Sequence, residues 1–81
     1  MKVGVIGVGY WGKKHVDEYN QLGHEVIVSD LSKENLDFCK LNFGAKPVTD
    51  YHEILNDEEI MTVSICTPNS THFEFGKEAL Q

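Results

Sequence analysis

The feature that most constrains this chain is a short apolar run ending in a cluster of glycines. Lys2–Ile6 is rich in valine and isoleucine, breaks at Gly7, and continues through Val8, Gly9, Tyr10 and Trp11 to Gly12. G-x-G-x-x-G alone is a weak pattern, because chance produces it often. Directly after a strand pattern and at the opening of a helix pattern it carries a mechanism. Gly7 permits the tight strand-to-helix turn, and Gly9 lets backbone approach a pyrophosphate with no Cβ in the way. Gly12 lets the helix pack closely on the strand. Amides at the helix start, around Tyr10, Trp11 and Gly12, would face the phosphates with the positive end of the helix dipole behind them.

Asp30 is the second component. It ends the next strand pattern, Glu25–Ser29, 18 residues beyond Gly12. A carboxylate there accepts hydrogen bonds from both adenosine ribose hydroxyls and repels a 2′-phosphate, which favours NAD over NADP. Lys33 is close enough to soften that preference. Leu31, next to Asp30, is counted with the cofactor-binding positions, as is Val8 within the turn. The opposing interpretation is a plain glycine turn and a surface aspartate with no ligand. Tyr10 and Trp11 also have two interpretations: aromatics at a helix start pack on neighbouring elements, and Trp11 can equally wall a cofactor pocket.

The rest of the chain alternates in the same way. Residues 10–22 have helical spacing, with Tyr10, Trp11, Val16, Tyr19 and Leu22 apolar and Gly23 as the stop. Ser32 caps a helix pattern that carries Leu36, Phe38, Cys39, Leu41 and Phe43 and ends at Gly44. Residues 47–49 predict a short third strand, and Asp50 with Glu53 resembles a capping box for a brief helix over 51–56. Residues 61–66 predict a buried fourth strand. Thr71 with Glu74 then predicts a last helix reaching Leu80. The predicted class is α/β, a partial doubly wound Rossmann fold: a four-stranded parallel sheet in the order 3-2-1-4 with crossover helices.

Ligands of such sheets lie beyond the carboxyl ends of the strands, near the switch point. Cys66, Thr67, Pro68, Asn69, Ser70, Thr71 and His72 emerge there. Thr67 and Asn69 offer hydrogen bonds to ribose or carboxamide, Pro68 a rigid apolar surface, and His72 a donor or acceptor. Each also has a structural explanation: Pro68 as strand breaker, Thr71 as cap, His72 in the first helical turn. His15, His24 and His52 pair with no other ligand types, so a metal site is not expected. Asn69-Ser70-Thr71 matches a glycosylation pattern, read as accidental without a secretion signal. Cys39 and Cys66 form no CxxC pair and read as buried residues of a reducing compartment, and the expected localisation is cytoplasmic. With 13 acidic against 7 basic side chains and a net charge of −6, nucleic acid is not an expected partner. No run is long and apolar enough for a membrane partner.

The segment from Val3 to Gly12, Asp30, Phe43-Gly44-Ala45, Tyr51, and the segment from Cys66 to His72 together resemble the Gfo/Idh/MocA oxidoreductases, which include glucose–fructose oxidoreductase and inositol dehydrogenase. The resemblance runs the length of the chain, and Thr67-Pro68-Asn69 followed by His72 is its most specific part. It implies a two-domain NAD(P)-dependent enzyme that moves hydride to or from a sugar, cyclitol or related carbon. It also implies that Gly7 to Gly12 bind pyrophosphate, Asp30 the adenosine ribose, and Thr67, Pro68, Asn69 and His72 the rest of the dinucleotide. Members of that family continue into a Glu-Lys-Pro motif with a catalytic lysine and then a sheet-rich substrate domain.

Neither the motif nor the domain is present in these 81 residues. The expectation is a Rossmann domain over residues 1–81, cut before its fifth strand, that binds cofactor weakly and has no catalytic residues of its own. A stand-alone NAD(H)-sensing module is the alternative. In either case the fourth strand is expected to form an exposed edge that invites self-association.

Overall fold

In the computed structural model, which describes residues 1–66 and the backbone of residues 73–76, the alternating valines and isoleucines of the strands feed two cores on opposite faces of one sheet. β1 (Lys2–Ile6), β2 (Glu25–Ser29), β3 (Lys46–Val48) and β4 (Ile60–Ile65) lie parallel in the order β3-β2-β1-β4, as the sequence predicts. They are connected by α1 (Tyr10–Gln21), α2 (Lys33–Phe43) and the short α3 (His52–Leu55). Side chains of a strand alternate between faces. Val3, Val5, Val26 and Val28 therefore share one core with Val8, with Val16 of α1, and with Leu36 and Cys39 of α2. Ile27 and Val63 go to the other, where they meet Ile54 of α3 and Ile60. Covering both faces is what a parallel sheet requires.

Gly4 has a role that its place in an apolar run does not reveal. It lies between Val3 and Val5, so it faces α3, and a Cβ there would overlap Cγ2 of the fully buried Ile54. Its missing side chain lets the Ile54 side chain pack directly against the backbone of β1. On the opposite face, α1 reaches β4 through a hydrogen bond between the Tyr19 hydroxyl and the buried Ser64 Oγ at 2.9 Å. That bond satisfies a hydroxyl that would otherwise be costly in the core.

The local signals at the helix ends are partly realised. Ser32 caps α2, its Oγ accepting from Asn35 N at 3.3 Å. The capping box at Asp50 is only half formed. Glu53 reaches back to Asp50 N at 3.4 Å, but the Asp50 carboxylate accepts from His52 N and not from the amide of Glu53. At the amino end of the sheet, Lys2 Nζ pairs with Asp57 at 2.7 Å and more loosely with Glu25 and Glu59.

Two expectations for the end of the chain are corrected. Residues 73–76 are not the start of a helix: β5 (Phe73–Gly76) pairs antiparallel with β4, Ile65 opposite Phe73 and Thr62 opposite Gly76. β4 is accordingly no exposed edge, since it pairs with β1 on one side and β5 on the other, and self-association through it loses its structural basis. The physical reason is the open ladder that β4 offers along its outer side. Phe73-Glu74-Phe75-Gly76 also alternates with the period of a strand.

Candidate functional site

The carboxyl ends of β1, β2 and β4 converge at the turn that follows Ile6. Gly7 N donates to Ser29 O at 2.8 Å and Cys66 N to Ile6 O at 2.8 Å, which tie the turn to the ends of both neighbouring strands. Gly7 has φ 87°, a left-handed conformation that side chains rarely adopt. Gly12 sits in the first turn of α1, where a Cβ would overlap the carbonyl oxygen of Gly7. The fold itself requires these two glycines.

Gly9 is different. Its φ is −72°, and a Cβ built on it meets nothing within 4 Å among the described residues. Among the described residues, nothing fills the space above it. Among the described residues no side chain caps α1 at this point, and the first turn carries no acidic residue. Lys13 N donates to Gly9 O at 2.9 Å, and the amides ahead of Lys13 have no carbonyl one turn back within the helix. A helix start with no side-chain cap among the described residues and clearance over its backbone is the environment that a pyrophosphate takes.

Asp30 is brought directly against this turn. Its Oδ2 accepts from Val8 N at 2.8 Å and its Oδ1 from Ser32 N at 2.7 Å. A carboxylate has about four acceptor positions, so both oxygens keep capacity for further donors. Sequence spacing groups Asp30 with the glycines but does not reveal these backbone bonds. Asp-x-Ser is a local turn signal that points to the second of them. Nothing local points to the first, across 22 residues.

Val8 is fully buried, so it contributes to the site through its backbone. Leu31 is fully exposed at the rim, and Tyr10 and Trp11 are largely exposed as well. The two rings do not pack into the core. They meet each other edge to face at 5.2 Å, and Lys14 Nζ lies 4.7 Å from the Tyr10 ring centroid and 5.0 Å from that of Trp11. Thr67, Pro68, Asn69 and His72 lie outside the described residues.

Burial pushes the Cys39 thiol up to about 11. The His52 amide, and then its ring, hold the Asp50 carboxyl below its ordinary value. Among the described residues there is no group of three or more His, Cys, Asp or Glu side chains that could hold a metal ion, and no helix is long and apolar enough to cross a membrane.

A parallel sheet in this order, with a glycine turn at the end of β1 and an acid at the end of β2, defines a dinucleotide-binding Rossmann domain. Comparison with known proteins narrows the class: residues 1–81 match the oxidoreductase family with an NAD-binding Rossmann fold, and the chain belongs to this Gfo/Idh/MocA family. It is 30% identical over 77 residues to myo-inositol 2-dehydrogenase of Thermotoga maritima, covering 91% of this chain and 23% of that protein. It is 32% identical over 81 residues to UDP-N-acetylglucosamine 3-dehydrogenase of Acidithiobacillus ferrooxidans, covering 100% of this chain and 25% of that protein. Scyllo-inositol dehydrogenase from Lactobacillus casei, solved with bound NAD(H) and scyllo-inositol, shares the fold with a TM-score of 0.72 at 24% identity, over 84% of this chain and 21% of that one. The chain thus spans about a quarter of the length of the curated relatives it matches.

Proposed function

We propose that residues 1–81 are the cofactor-binding part of an NAD(H)-dependent oxidoreductase acting on a sugar, a cyclitol or a related hydroxy or keto carbon. The observation that carries this reading is Gly9. Neither its φ nor its packing among the described residues requires glycine, and the missing Cβ leaves clearance over a helix start that no described side chain caps. In this arrangement the pyrophosphate lies over the turn from Gly7 to Gly12, held by the α1 amides and helix dipole. Asp30 accepts from the adenosine ribose with its remaining acceptor positions, and its negative charge disfavours a 2′-phosphate, so NAD is preferred over NADP.

Leu31 flanks the adenosine and Trp11 walls the cleft, while Thr67, Pro68, Asn69 and His72 serve the nicotinamide half. The nicotinamide, when bound, accepts or donates the hydride; these residues bind and orient it. The inositol and nucleotide-sugar names of the relatives support the substrate class. Their greater length supports a second domain as the source of substrate-binding and proton-transfer groups. By itself this chain then binds NAD(H) weakly and does not turn over.

The test is calorimetric titration with NADH and NADPH, with Trp11 fluorescence as a second signal. The expected result is weak NADH binding that exceeds NADPH binding. Asp30→Ala should weaken NADH by about tenfold, the scale of lost carboxylate hydrogen bonds, and narrow the gap between the two cofactors. A folded sample that gives no response to millimolar NADH overturns the reading.

A further inference from the structure

A closed circuit of polar contacts surrounds the glycine turn, and part of it stands away from the proposed ligand position. Val8 N and Ser32 N donate to the two oxygens of Asp30. Ser32 Oγ accepts from Asn35 N, and Asn35 Oδ1 accepts from Lys13 Nζ at 3.1 Å. Lys13 N then returns to Gly9 O at 2.9 Å. The two links between separate segments, Val8 to Asp30 and Lys13 to Asn35, each span 22 residues. Lys13, Asp30, Ser32 and Asn35 are all half-buried.

The Lys13 ammonium is further held 4.5 Å from the Phe38 ring centroid. Lys13 thus meets α2 at Asn35 and Phe38, and Asp30 meets its capping residue Ser32. A lone exposed lysine contact contributes little. A half-buried circuit that begins and ends on one turn constrains the shape of that turn.

We propose that Lys13 and Asn35 are positioning residues for the phosphate turn. They fix the start of α2 against α1. Through Ser32 and Asp30 they hold the Val8 amide, and with it the clear upper side of Gly9, before any nucleotide arrives. A turn ordered in advance loses less entropy on binding. The proposal rests on the cofactor reading above for its consequence, but the ordering itself exists in the free protein and is measurable there.

The experiment compares Lys13→Met, which keeps the apolar stem over Phe38, with Asn35→Leu, the double variant, and Lys13→Arg as a conservative rescue. In ligand-free protein, amide exchange at Val8 and Ser32 should quicken by about fivefold or more in the first three and not in Lys13→Arg, while core amides such as Val5 and Val28 keep their rates. NADH affinity should fall about 3- to 10-fold in each single variant, the scale of one hydrogen bond, and no further in the double.

Unchanged exchange at Val8, or equal quickening at Val5 and Val28, overturns the proposal. So does an affinity loss in Lys13→Met without one in Asn35→Leu, which would mean that the ammonium touches the nucleotide itself. If the unmodified protein binds no NADH, the cofactor reading fails and the exchange rates alone decide the positioning role.

Discussion

Gly9 and Gly12 stand three residues apart in one motif, yet the structure places them in opposite surroundings, and alanine at each should separate folding from the proposed cofactor binding. In Gly12→Ala the new methyl runs into the Gly7 carbonyl. That carbonyl is backbone, and its residue is pinned by Gly7 N to Ser29 O at 2.8 Å, so it cannot yield by a rotamer change. Overpacking of this kind costs about 1–3 kcal/mol or more. In a domain of this size each ~1 kcal/mol lowers Tm by about 4–8 °C.

Gly9→Ala meets no described atom within 4 Å and sits at a negative φ. Reduced freedom of the unfolded chain stabilises by ~0.4–1 kcal/mol. Exchanging glycine for alanine at a helix cap destabilises by a similar ~0.5–1 kcal/mol, so the net change is close to zero. The methyl would, however, occupy the proposed pyrophosphate position. Losing one charge-assisted amide–phosphate bond weakens NADH by about 10- to 100-fold. Circular-dichroism melts and NADH titrations on both variants supply the comparison. Wild-type affinity in Gly9→Ala, or a drop in Tm as large as that of Gly12→Ala, would refute the reasoning.

Two further outcomes follow from the cores. Gly4→Ala should destabilise by ~1–3 kcal/mol through its overlap with Ile54, and Ile54→Ala by ~2–5 kcal/mol through the void it leaves. The double variant should lose less than their sum, because the new methyl enters space that Cγ2 vacates; strict additivity in urea unfolding would argue against that contact. Cys39 supplies a pH dependence. Its thiol is raised from 9.0 to about 11 by burial, so above the lower value only the unfolded chain ionises. Its contribution is complete below that value and lost as pH climbs to the upper one, about 2–3 kcal/mol in all. The stability gap between wild type and Cys39→Ala should narrow across that window, and a constant gap counts against a buried neutral thiol.

Much of this was legible in the residues themselves. Val3, Val5, Val26 and Val28 alternate with the period of a strand, Gly7 to Gly12 mark a turn into a helix, and Asp30 falls at the expected spacing. From these alone the parallel order β3-β2-β1-β4 and the meeting of Asp30 with the glycine turn could be expected, and both are present. Less legible were the short-range choices. The Asp50 carboxylate bonds to His52 rather than Glu53, since an aspartate side chain can satisfy several neighbouring amides and sequence spacing does not rank them.

Periodicity and turn chemistry are properties of neighbouring residues, and so the sequence by itself determined the strand and helix patterns of residues 1–66, the parallel order and the location of the glycine turn. Contacts between distant segments depend on which surfaces the packed sheet leaves open, and these only the tertiary structure decided. Ile54 resting on Gly4, Lys13 reaching Asn35, and Asp30 taking the Val8 amide are of this kind. Residues 73–76 show the principle most directly. Thr71 and Glu74 carry a helix signal and Phe73 to Gly76 a strand alternation, and the unpaired side of β4 resolved the competition by offering the ladder that β5 completes.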